Sequence, residues 1–351
     1  MGNNAAPEEV SELIAHLRSV LPHDGTRDAL ITSVIPKLLQ SIADVAQALR
    51  SSHHVAAAGT ANTFGDDQLN VDVTAENLIR DAITHCPSIV TASSEEDPVE
   101  RPVQHSAPSL TPSTKEQYTL AFDPLDGSSI IPANWTVGTI ISLWDGPTAL
   151  NQPPSTAQIA AILGVLGPRT TAIVALRIPG STTTSQSCFE LALDPSSSQP
   201  TPTWKLTRPT LTLAPQSRYF SPANLRAAAD DPAYMALVTD YISRRCTLRY
   251  AGGLVPDVVH MLVQGQGVYL SPVTARSRAK LRRLYELCPL ALVVECAGGE
   301  AFDPVDGGRV LGKEVGGCGE TGGLVCGSGE EVREAVGRLV AGRGGQGVEG
   351  L

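Results

Sequence analysis

The sequence predicts a mixed α/β protein, and three observations carry that expectation. Residues 26–50, TRDALITSVIPKLLQSIADVAQALR, place apolar side chains at helical spacing. From about 137 to 215, β-branched runs such as TTAIVALRI alternate with Pro- and Ser-rich turns, the pattern of antiparallel sheet. Beyond 215, helical and extended patterns alternate again, so a second subdomain is expected.

Taken in order, residues 1–25 read as an N-terminal extension. The helix over 26–50 carries Pro36, where a kink or break is expected. After a Gly/Ala-rich loop, FGDDQLNVDVTAENLIRDAI (64–83) reads as a helix with Asp66, Asp67 and Asp72 at its start. SIVTASSEED (88–97) reads as a short strand ending in acids, and the Pro/Ser-rich stretch 98–117 as a loop. An apolar strand then breaks at two aspartates in YTLAFDPLDGSSIIPANWTVGTI (118–140). The stretch PSSSQPTPTWK (195–205) suggests the divide between a subdomain over 26–205 and one over 206–340. In the latter, a helix is expected near 222–245 and another at 256–264. The strand GVYLSP follows, then a long helix from about Ala279 to Ala297 and a Gly-rich tail over 341–351.

A chain of 351 residues supports a substantial core, and its formal net charge of −10 argues against a nucleic-acid or anionic-membrane partner. Seven cysteines without CxxC or zinc spacing read as reduced buried thiols. No apolar stretch approaches the roughly 20 residues needed to span a bilayer, and MGNNAAPEEV lacks a secretory pattern. The expected location is cytoplasmic. Two GxGxxG strings, Gly317–Gly322 and Gly345–Gly350, do not open a helix after a strand and are read as loop glycines. His53 and His54 have no partner at metal spacing and are read as surface residues; Cys288 and Cys296 are read as core thiols.

The chemistry concentrates in carboxylates: Asp66/Asp67/Asp72, Glu95/Glu96/Asp97, Asp123/Asp126 and Glu286. One acidic cluster beside a strand is ordinarily a solvated cap. Asp-Pro-Leu-Asp-Gly-Ser-Ser is more particular, because two aspartates three apart flank an apolar Leu125. Gly127 then allows close backbone approach, and Ser128 and Ser129 offer donors to an anion. Hard oxygen ligands without histidine or cysteine suit Mg²⁺ or Mn²⁺. Such ions neutralise phosphate charge and activate water.

Asp-Pro-Leu-Asp-Gly-Ser-Ser, preceded by Ser-Glu-Glu-Asp and followed by TVGTI, resembles the class I fructose-1,6-bisphosphatase and sedoheptulose-1,7-bisphosphatase family over about Thr60 to Val340. FGDDQLNVD, GPRTT, FSPANLRAA, TLRYAGGLVPDV and SRAKLRRLYELCPLALVVECAGG are closer to its seven-carbon branch. The resemblance implies a layered αβαβα sugar-phosphatase sandwich. It implies metal ligation by Glu95, Asp123, Asp126, Glu286 and the Leu125 carbonyl, with Mg²⁺ as the metal and Mn²⁺ as the alternative. It also implies Asp72 and Glu96 at the attacking water, Asp66 assisting, and Gly127 and Ser128 at the reacting phosphate. Asn224, Arg249, Tyr250, Tyr269 and Lys280 would grip the second phosphate, with Lys280 opening the long helix that carries Glu286.

The implied reaction is hydrolysis of the 1-phosphate of sedoheptulose 1,7-bisphosphate in a homodimer or homotetramer. The alternatives are action on fructose 1,6-bisphosphate or on both sugars, and an inactive relative serving as a binding protein. The redox cysteine pair of the chloroplast enzymes has no counterpart in HHVAAAGTANTFGD, and residues 20–40 carry no match to a nucleotide pocket. IIPANWT departs from the family wording after the serines, which would adjust the sugar pocket.

Overall fold

The structure, a computed structural model, describes residues 12–21, 25–61, 67–106, 115–179, 186–194, 203–278 and 280–343. Its larger sheet has eight strands, in spatial order 203–208, 187–194, 170–176, 158–166, 137–145, 118–126, 89–94 and 101–102. Every neighbouring pair is antiparallel except Ile89–Ser94 against Tyr118–Asp126. The strands from 118 to 208 follow one another as a meander, each lying beside the next in the chain. Those from 118 to 176 are buried along most of their length, so their wording is a continuous apolar run rather than an alternation.

Helices Ile35–Ser51 and Asn70–Thr84 cover one face of this sheet, burying Leu38, Ile42, Val71 and Ile79 against Phe122, Ile141 and Ile162. The opposite face packs on helices Leu254–Gln264 and Cys288–Cys296 through Ile140, Trp144, Leu163, Val258 and Leu292. Those two helices also contact a five-stranded sheet in the order 247–248, 219–222, 268–271, 324–327, 300–302. Its outer face is closed by helices Pro232–Ser243 and Gly329–Arg343 around Tyr234, Tyr241, Val332 and Leu339. The result is the expected αβαβα stack, each layer burying the apolar face of the next.

Several boundaries differ from expectation. The interruption expected at Pro36 is a turn of π-helix, Leu30–Val34, that runs in helical geometry straight into Ile35–Ser51, where Pro36 brings no N–H. Asp67 belongs to the strand Asp67–Leu69, which pairs with Ala57–Ala61, so the helix begins only at Asn70. The expected helix from Ala279 to Ala297 is three pieces: strand Leu281–Arg282, a π-helical turn Arg283–Leu287, and the helix Cys288–Cys296. Lys280 therefore precedes a strand rather than opening a helix. Pairing of Leu281 and Arg282 with Gly322 and Thr321 draws those two residues out of helical geometry. Gly317–Gly322 lies in the turn and short strand of that pairing; Gly345–Gly350 and the end of the Gly-rich tail fall outside the described residues.

Candidate active site

The strand Tyr118–Asp126 runs to the rim of the larger sheet carrying Asp123 and Asp126. In a regular strand, residues three apart face opposite ways. Here Asp123 pairs with Ile140 and Asp126 with Gly138, so two residues, Pro124 and Leu125, oppose the single residue Thr139. That bulge holds Pro124, which has no N–H to give the ladder, and returns both carboxylates to one side. Leu125 is buried between them and donates its N–H to Asp123 Oδ1 at 2.9 Å, while the Thr139 hydroxyl donates to the Pro124 carbonyl at 3.0 Å. After the strand, Gly127 turns with φ of +92°, which favours glycine, and Ser128 and Ser129 follow at the surface.

Gly138 fixes where the opposing helix can sit. A Cβ there would lie 2.4 Å from Val255 Cβ, so only glycine lets the start of helix Leu254–Gln264 approach this closely. That approach lets Leu254 N and Val255 N donate to the two oxygens of Asp126, at 3.1 and 2.6 Å. The positive end of the helix thereby faces a carboxylate. Glu286 enters from the π-helical turn and accepts from the Arg282 N–H.

Asp123, Asp126 and Glu286 bring one carboxylate oxygen each within 4.8 Å of one another, all buried. Burial, with the mutual repulsion of Glu95, Asp126 and Glu286, pushes the Asp123 carboxyl well above its usual range; Glu286 is raised by burial and by Glu95. Asp126 is pushed up to about 6 by burial, against the pull of its two backbone donors. Three buried carboxylates at this spacing are unfavourable alone and suit a small hard cation with oxygen ligands.

Asp72 and Glu96, the pair that the resemblance sets at the attacking water, interact with each other through charge. Asp72, at the third position of helix Asn70–Thr84, accepts from Leu69 N at 2.8 Å through Oδ2. Its Oδ1 is buried without a hydrogen-bond partner, and burial, with the charge of Glu96, raises the carboxyl to about 6. The turn bearing Glu95 and Glu96 is tied by Glu95 N to the Phe122 carbonyl at 3.0 Å, and by a network the sequence reading missed. In it the Ser94 hydroxyl donates to Glu76 at 2.8 Å and accepts from Asp97 N at 3.0 Å, while Arg80 pairs with Glu76. Arg282 was missed as well. Its side chain is 13% exposed and its Nε lies 3.8 Å from Glu95 Oε1. Its position four residues before Glu286 was the available signal.

The second-phosphate set is less assembled. Arg249 and Lys280 are exposed, and Tyr250 is 47% exposed. Arg249 Nη1 donates to the Leu248 carbonyl and its guanidinium lies over the Tyr219 ring. Asn224, at φ of +46°, donates through Nδ2 to the Pro272 carbonyl at 2.6 Å and accepts from the Ser277 hydroxyl at 2.5 Å, so it braces the 272–277 loop that leads to Lys280. Tyr269 is buried in the strand Val268–Ser271; burial raises its phenol, with Asp257, Tyr250 and Asp126 as charged neighbours. Asp66 lies outside the described residues. His53 and His54 are exposed, and all seven cysteines are free, Cys288 and Cys296 among the buried ones.

Fold and site together define a five-layered α/β protein with a buried acidic cluster at a sheet rim that could hold a metal ion. Residues 19–192 match the family profile "Fructose-1-6-bisphosphatase, N-terminal domain", and residues 213–339 match its C-terminal counterpart. The chain is 38% identical to the chloroplastic sedoheptulose-1,7-bisphosphatase of Chlamydomonas reinhardtii over 75% of its own length and 64% of that protein's. It is 31% identical to the class 1 fructose-1,6-bisphosphatase of Geobacter sulfurreducens, over 82% of this chain and 84% of that one. Among solved structures, a Toxoplasma gondii protein provisionally named sedoheptulose-1,7 bisphosphatase superposes with a TM-score of 0.81 at 32% identity, covering 94% of this chain and 98% of the other. Leishmania major fructose-1,6-bisphosphatase shares the fold, with a TM-score of 0.75 at 23% identity, over 91% and 95% of the two chains. The chain belongs to the fructose-1,6-bisphosphatase family. Its matches span 57% to 64% of the length of the chloroplastic relatives, less than two thirds of those proteins.

Proposed function

We propose that this protein is a Mg²⁺-dependent phosphoric monoester hydrolase that removes the 1-phosphate of sedoheptulose 1,7-bisphosphate, giving sedoheptulose 7-phosphate. The observation that carries the reading is the buried trio Asp123, Asp126 and Glu286 beside the Gly127–Ser128 turn. Asp123, Asp126, Glu286, Glu95 and the Leu125 carbonyl would hold Mg²⁺, with Mn²⁺ the alternative. When bound, the ion offsets phosphate charge and lowers the pKa of water. Asp72 and Glu96 accept the proton of the attacking water, a role for which a carboxyl raised to about 6 is suited near neutral pH. Asp66 would assist at the same rim. Gly127 and Ser128 present donors to the reacting phosphate, and Asn224, Arg249, Tyr250, Tyr269 and Lys280 take the second one.

In this reading residues 26–205 form the metal subdomain and residues 206–340 the sugar-phosphate subdomain, with Glu286 crossing from the second to the first. A homodimer or homotetramer is supported by apolar side chains left in solvent on neighbouring elements of the smaller sheet: Leu225, Met235, Ile242, Leu248 and Tyr250, each 47% to 63% exposed. Thr247–Leu248 is also an edge strand. Seven free cysteines suit a reducing compartment, the cytoplasm. Among the described residues no helix is long and apolar enough to cross a membrane.

The test is phosphate release by the purified protein with Mg²⁺ from sedoheptulose 1,7-bisphosphate and from fructose 1,6-bisphosphate. Preference for the seven-carbon sugar is the expected result. Equal or reversed preference would keep the chemistry and move the assignment to the six-carbon substrate, and no release from either would sink it.

A further inference from the structure

Asp257 lies in the first turn of helix Leu254–Gln264 and is 3% exposed. Both its oxygens are engaged by the backbone just ahead of its own helix: Ala251 N at 2.6 Å and Gly252 N at 3.1 Å. Gly252 stands at φ of +94°, so the chain folds back over the helix start at a position a side chain would strain. The turn held in this way joins the two halves of the site. On one side, Arg249 N donates to the Phe220 carbonyl at 2.9 Å and the Ser221 hydroxyl donates to the Arg249 carbonyl, which ties Arg249 and Tyr250 to the strand Tyr219–Pro222. On the other, Leu254 N and Val255 N hold Asp126.

Two carboxylates thus divide the donors of one helix start. Asp126 takes the first two helical N–H groups, and Asp257 takes the two that precede the N-cap Gly253. A carboxylate fits the second task because two N–H groups need two acceptors. An asparagine offers one oxygen and turns an NH₂ against an N–H. Burial of a second acid this close to Asp126 is costly, and it pushes Asp257 up to about 6. A turn needed only to start a helix could use a neutral cap.

We propose that Asp257 is a positioning residue that fixes the Arg249–Gly253 span between the metal ligand Asp126 and the second-phosphate residues Arg249 and Tyr250, and so sets the reach of the site for a sugar phosphorylated at both ends. This rests on the bisphosphatase reading above. The reach matters because this turn is the covalent link between the backbone donors that hold Asp126 and the residues Arg249 and Tyr250.

The experiment is calorimetric binding of sedoheptulose 7-phosphate, which carries only the second phosphate, and of Mg²⁺ alone, to the full chain and to Asp257→Asn, with steady-state KM and kcat alongside. The product is expected to bind about tenfold more weakly and KM to rise in step, as for loss of a charge-assisted hydrogen bond. Mg²⁺ affinity and kcat are expected to change less than about threefold. Gly252→Ala, which leaves the carboxylate and strains the turn, is expected to give the same split and serves if Asp257→Asn does not fold. Unchanged product affinity in a folded variant, or Mg²⁺ affinity falling in step with it, overturns the inference. If the unaltered protein turns over while its variants bind product normally, the inference alone has failed. If the unaltered protein releases no phosphate, the bisphosphatase reading has failed and takes the inference with it.

Discussion

At the metal end of the site Asp123, Asp126 and Glu286 are 4%, 8% and 6% exposed, and each accepts a backbone N–H: from Leu125, from Leu254 and Val255, and from Arg282. At the other end Arg249, Tyr250 and Lys280 stand in solvent. The first group is set by a strand bulge, a helix start and a π-helical turn, elements that packing holds in place whether or not a ligand is present. The second depends on loops, and in the proposed reading its cations gain charge-assisted bonds from the second phosphate. In the proposed reading, chemistry is built into the scaffold and substrate choice rests on the more exposed end.

The largest expected effect breaks the rigid end. Asp126→Ala should lower turnover by about a thousandfold or more, since a bound ion contributes several kcal/mol to the transition state; single-turnover phosphate release would show it. Asp72→Asn should cost about a hundredfold in kcat, the low end of general-base effects. Its pH profile sharpens the point. A base raised to about 6 is protonated and idle below that pH, so kcat should climb as pH rises through about 6 and level off above it, and the variant should lose that limb. A profile flat from pH 5 to 8 in the unaltered protein would remove Asp72 from this role.

Gly138→Ala tests the packing that brings the helix to Asp126. A methyl 2.4 Å from Val255 Cβ must push the helix away. A stability loss of about 1–3 kcal/mol is expected, with weaker Mg²⁺ binding, by thermal melting and calorimetry. The smallest effects belong to the exposed end. Arg249→Ala and Lys280→Ala should each raise KM about tenfold with little change in kcat, the loss of one charge-assisted contact. An equal fall in kcat would show that this end is as rigidly coupled to the chemistry as the metal end, and the contrast would dissolve.

The sequence made the rigid end easier to read than its surroundings. Asp-Pro-Leu-Asp-Gly-Ser-Ser names its chemistry locally, because ligands, bulge and phosphate turn are consecutive. The meander over 137–208 was legible for a similar reason: β-branched runs such as TTAIVALRI alternate with Pro- and Ser-rich stretches along a continuous span of sequence. What escaped is what depends on distant partners. The helix expected from Ala279 yields to a strand because Leu281 and Arg282 pair with a segment some 40 residues on. Arg282 and Glu76 meet Glu95 and Ser94 on other segments, and Asp257 reaches back five and six residues to Gly252 and Ala251, a closure that helical spacing does not reveal. Asp67 likewise looked like a helix start because its pairing with Ala61 in the hairpin is invisible to helical periodicity.

The central claim is that Asp123, Asp126 and Glu286 form a cation site that carries the hydrolysis. Its most direct test is phosphate release from sedoheptulose 1,7-bisphosphate after the purified protein is stripped with a chelator, followed by titration with Mg²⁺. The expected result is no release from the stripped protein, saturable recovery with Mg²⁺, and no recovery in Asp126→Ala. Full release from the chelator-treated protein, or equal recovery in the variant, would contradict the account.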